Sequence, residues 1–168
     1  MGTWITLIII LFIVGSVMGL KPSAKETRLD RLRTTARKLG LNPKLVPCPN
    51  WITPNDDPLN KGKGMIAQYG VLIEHASLPA CDYQLIDGLL RPYTDNNPAN
   101  FTLDNQPLEL PNSIAPFVKG LSFKANFACI YWQENIGLGK ERLETTENDL
   151  ILLKSQLQQY AQRIQPTS

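Results

Sequence analysis

The chain has 168 residues, with 17 basic and 15 acidic side chains that leave a formal charge of +2. That length suits one compact domain with a modest core rather than two. The near-neutral total conceals an asymmetry: residues 21–38 carry seven basic side chains against two acidic ones, so everything from Leu39 onward is mildly acidic. A nucleic-acid-binding face is therefore excluded as a reading of the composition.

Three cysteines, Cys48, Cys81 and Cys129, lie far apart, and His75 is the only histidine. Zinc-ligand spacings and redox dithiol pairs are absent from this pattern, and neither a metal nor a cofactor is expected. An odd, sparse set of cysteines fits reduced thiols in a cytoplasmic compartment. A single disulfide stays open if the domain faces an oxidising space. Cys129, in the apolar run Ala128 to Trp132, reads as a small core hydrophobe.

In chain order, the first segment runs from Trp4 to Leu20 without a charge. As a helix it would be roughly 25 Å long, a short transmembrane anchor occupying residues 1–20. Trp4 and Lys21 would mark its two interfaces, and Gly15 and Gly19 give the spacing that lets two such helices approach closely. A cleaved secretory signal is the competing reading. Against it, no lysine or arginine precedes the apolar run, and the basic residues directly after it would resist export. The expectation is a single-pass protein of the bacterial inner membrane, N-terminus out and C-terminal domain cytoplasmic.

Residues 21–40 read as a basic amphipathic helix. Ser23 and Glu26 have capping-box spacing, Leu29, Leu32, Ala36 and Leu39 fall on one stripe, and Gly40 closes the C-terminus. Lys25, Arg28, Arg31, Arg33, Arg37 and Lys38 flank the stripe, a pattern that suits an anionic lipid surface. The same stripe packed on the domain would look identical in sequence.

Residues 41–168 then form the domain proper, expected to be α+β: a small, mainly antiparallel sheet closed by a C-terminal helix. The proline-rich stretch 42–64 reads as a long loop with a short strand at Leu45 to Val46. A strand is expected over 65–74, a strand or short helix over 83–91, loops with a short strand near Phe101 to Leu103 over 92–116, and a long strand over 121–132. From about Thr146 the chain is helical, with Leu150, Leu153, Leu157, Tyr160 and Ile164 at steps of three and four. This face either closes the sheet or receives a partner helix; it spans too few heptads for a coiled coil.

Chemistry is sparse. Glu74 and His75 are adjacent in an expected strand and so point to opposite faces, which disfavours an acid and base pair. Asp56, Asp57, Lys61 and Lys63 occupy a loop without the spacing of a phosphate-binding motif. Asn100, Phe101 and Thr102 have the form of a glycosylation sequon, and the aromatic set Phe123, Phe127, Tyr131 and Trp132 reads as core.

The apolar run followed by Leu20 to Leu41 resembles a group of uncharacterised proteobacterial single-pass inner-membrane proteins. The same region is superficially similar to YajC, the small accessory subunit of the Sec translocon, which also joins one helix to a basic segment. Lys21 and Pro22 stand where that family has Arg-Pro, and its glutamine and lysine run is missing here. The functional expectation is a non-enzymatic domain for protein-protein interaction or scaffolding, with membrane lipid and another membrane or cytoplasmic protein as partners and homo-oligomerisation open. The rival expectations are a membrane-tethered enzyme or small-molecule binder using Glu74, His75 or the 56–63 loop, and a periplasmic domain released by signal cleavage.

Overall fold

A computed structural model describes residues 2–19, 23–53, 61–93, 103–134 and 145–165. Its elements are helix α1 (Gly2–Gly19), helix α2 (Ala24–Lys38), strands β1 (Asn42–Pro47), β2 (Met65–Leu72), β3 (Leu78–Ile86) and β4 (Leu89–Pro92), a 3-10 turn (Ala115–Phe117), strands β5 (Val118–Ala125) and β6 (Phe127–Trp132), and helix α3 (Glu147–Ile164). The six strands form one open antiparallel sheet in the order β1-β2-β6-β5-β3-β4. The α+β class with a closing C-terminal helix is thus observed.

Both helices that pack on the sheet start as their sequences dictate. Ser23 accepts from the Glu26 N–H at 3.2 Å while the Glu26 carboxylate accepts from the Ser23 N–H at 2.8 Å. Thr146 and Asp149 form the same reciprocal box ahead of α3. At the other end of α2, Gly40 adopts φ +83°, its N–H reaches the Arg37 carbonyl, and the Leu41 N–H reaches the Ala36 carbonyl. This double bond pattern satisfies two carbonyls that the helix end leaves free.

Alternation along the strands sorts the sheet into two faces. Ala67, Tyr69, Val71, Cys81, Tyr83, Leu121, Phe123, Ala128, Ile130 and Trp132 point to one side, where they are buried with Leu150, Leu153, Leu157, Tyr160 and Ile164 of α3. Ala36 of α2 is fully buried in the same core, and Leu32 and Leu39 pack against it. The opposite face carries Gln68, Gly70, Asp82, Gln84, Ser122, Cys129 and Tyr131, and a smaller apolar cluster of Cys48, Trp51, Ile52 and Ile66 covers one end of it.

Several boundaries differ from expectation. The stretch 121–132 is two strands, because the chain reverses at Ala125 and Asn126, with Lys124 opposite Phe127 and Ala125 at φ +55°. Likewise 83–91 spans a hairpin that turns at Asp87 and Gly88, both with positive φ, the geometry that an Asp-Gly pair favours. β2 ends at Leu72, so Glu74 and His75 lie in a turn, with His75 at φ 58°. Leu103 is buried but lies in an otherwise exposed turn rather than a strand; Phe101 and Thr102 fall outside the described residues.

The edge strand β1 is longer than anticipated, and its prolines explain how it stays an edge. The Cys48 N–H donates to the Gly64 carbonyl, so even-numbered residues face β2 and the odd-numbered ones face away. Pro43 and Pro47 therefore place their missing N–H groups on the outer side, which blunts further strand pairing.

The membrane-spanning expectation requires correction. No helix among the described residues is long and apolar enough to cross a membrane. α1 extends over 18 residues, about 27 Å at the rise of an α-helix against a hydrocarbon core of about 30 Å. With that finding the transmembrane anchor falls, and with it the single-pass inner-membrane placement.

Candidate interaction surface

The helix α1 stands apart chemically from the rest of the molecule. Its apolar residues are distributed around the whole circumference, so it has no polar face to turn to solvent and no single face to pack. None of residues 2–16 is buried, and among their large apolar side chains exposure runs from 53% at Ile9 and Val14 to 78% at Phe12. None of the α1 side chains described, residues 2–16, belongs to either buried cluster. Ile8, Leu11, Phe12, Gly15 and Ser16 line a shallow groove along one side. An apolar surface of this kind marks an interaction site or an aggregation liability. Trp4, expected at a membrane interface, is simply exposed on this helix; Lys21 lies outside the described residues.

In α2 the basic residues separate into two groups. Arg28, Arg31, Arg37 and Lys38 are exposed, and Lys25 sits in the first turn of the helix. Arg33 turns inward. Its Nε lies 3.1 Å from both carboxylate oxygens of Glu134, and its Nη2 also pairs with Oε2. The Tyr69 hydroxyl donates to the same carboxylate at 2.5 Å. Glu134 retains only 6% side-chain exposure, so this carboxylate is paired from two sides where water is largely excluded. The hydrogen bond to Glu134 holds the Arg33 guanidinium above its usual value despite burial, and burial with the neighbouring carboxylate pushes the Tyr69 phenol up. The Lys154 ammonium donates to the Leu39 carbonyl at 2.9 Å, tying the end of α2 to α3. Leu32, Ala36 and Leu39 of the stripe and the flanking Arg33 thus pack on the domain.

The α3 face of Leu150, Leu153, Leu157, Tyr160 and Ile164 is taken up by the domain's own core. Tyr160 also accepts, through its hydroxyl, the Glu109 N–H at 3.0 Å.

On the sheet face away from α3, Gln68 donates to the Cys129 sulfur at 3.1 Å and to the Tyr131 hydroxyl oxygen at 3.2 Å. The Trp51 ring lies over Gly120, edge-on to Tyr131 at 5.5 Å and stacked with Tyr93 at 6.0 Å. A Cβ at Gly120 would stand 2.5 Å from the Trp51 ring and 2.7 Å from the Tyr83 carbonyl, so only glycine admits this approach. Gln84 donates to the Trp51 carbonyl and fixes the loop in place.

All three cysteines are free and buried. Burial pushes the Cys81 and Cys129 thiols up to about 11, which keeps them protonated and unreactive near neutrality. Glu74 and His75 are both exposed in the β2–β3 turn. Lys61 places its ammonium 5.9 Å from the centre of the Tyr93 ring, and Lys63 is exposed; Asp56 and Asp57 lie outside the described residues, as does the sequon at 100–102. No group of His, Cys, Asp and Glu among the described residues could hold a metal ion.

Sequence reasoning missed Glu134, Tyr69, Gln68 and Trp51 as organising residues. Trp51 alone left a signal, a large aromatic in a polar proline-rich loop, which has to bury its ring somewhere. Comparison of the chain with protein-family models, curated proteins and solved structures finds no match.

Proposed function

We propose that this protein is a non-enzymatic interaction module, in which the α+β domain carries an apolar helix that docks on a partner protein. One observation carries the reading: α1 exposes apolar side chains on every side, and none of its described side chains belongs to the buried core of the domain. The protonated, buried thiols and the exposed turn position of His75 support binding rather than catalysis.

A photo-crosslinking side chain at Phe12 of the full chain, with one at exposed Asp104 as control, tests it in cells expressing the protein at native level. A discrete protein adduct at position 12 that the control lacks is the expected result. Adducts to phospholipid alone, or none, overturn the reading.

The independence of the core from α1 also favours a second reading, in which α1 is a leader removed during export. Intact mass of the mature chain decides between them. A product beginning at Leu20 establishes removal; the uncleaved mass excludes it.

A further inference from the structure

We draw no further inference here: the strongest candidate, the exposed apolar surface of α1 with its groove between Ile8, Leu11, Phe12, Gly15 and Ser16, belongs to the surface already described, and nothing in the structure shows what covers it.

Discussion

Arg33 and Glu134, 101 residues apart in the chain, meet as a two-pronged ion pair that fastens α2 to the end of β6. The Tyr69 hydroxyl completes the shell around the carboxylate. Replacing Glu134 with alanine would leave a guanidinium and a phenol without their shared acceptor. The expected cost is roughly 2–3 kcal/mol, kept below the value for a fully buried pair because Arg33 is still partly solvated. Urea denaturation of E134A measures it, and the double variant R33M/E134L should recover most of the loss. An E134A midpoint equal to that of the parent chain would show that the pair contributes nothing.

The buried thiols predict an alkaline weakness. Cys81 and Cys129 are raised from 9.0 to about 11 by burial, so over that interval the folded chain keeps protons that the unfolded chain has lost. Their contribution is whole below the unfolded value and drains away as pH rises through the folded one. Stability should therefore fall between about pH 9 and pH 11, less steeply in C129A than in the parent. Thiol titration with an aromatic disulfide near neutral pH should find both groups silent until denaturant is added; immediate reaction would contradict the burial.

An acid-side effect of opposite sign belongs to Asp149. Burial raises its carboxyl, but hydrogen bonds from the Thr146 N–H, the Ser113 hydroxyl and the Thr146 hydroxyl outweigh that and hold it below 3.8. Its stabilisation is present above the unfolded value and lost as pH falls through the folded one. D149A should cost about 1 kcal/mol at neutral pH through loss of the cap. The gap should narrow as pH falls through the folded-state value and the carboxyl takes up its proton; a gap independent of pH would assign the loss to packing instead.

Two small-residue exchanges should move stability in opposite directions. Ala125 sits at φ +55°, where an L side chain is strained, so A125G should gain roughly 0.5–1 kcal/mol. At Gly120 a Cβ meets the Trp51 ring on one side and the Tyr83 backbone on the other, and G120A should cost about 1–3 kcal/mol. Thermal unfolding of both variants reads the two shifts. Its companion readout is Trp51 fluorescence, which should change in G120A and stay put in A125G.

Local chemistry was legible in the residues themselves. The capping box at Ser23 and Glu26, the glycine stop at Gly40, the start of α3 near Thr146 and the buried α3 stripe all follow from interactions within one or two helical turns. The hairpin at Asp87 and Gly88 went unread although its Asp-Gly pair carries a turn signal, and the reversal at Ala125 and Asn126 left none, because nothing in an alanine announces positive φ.

What the sequence by itself determined, then, is where apolar side chains recur and which residues cap or break an element, since both depend on near neighbours. Only the tertiary structure decided what each face packs against: that Arg33 leaves its basic neighbours for Glu134, that Gln68 and Cys129 share the face opposite α3, and that Trp51 closes over Gly120. Those contacts join residues distant in the chain, and periodicity records that a side chain is buried without recording its partner. The same limit governs α1, whose uniform apolarity suggested a membrane span. No helix among the described residues is long and apolar enough for one, and none of the α1 side chains described belongs to the core that the other elements share.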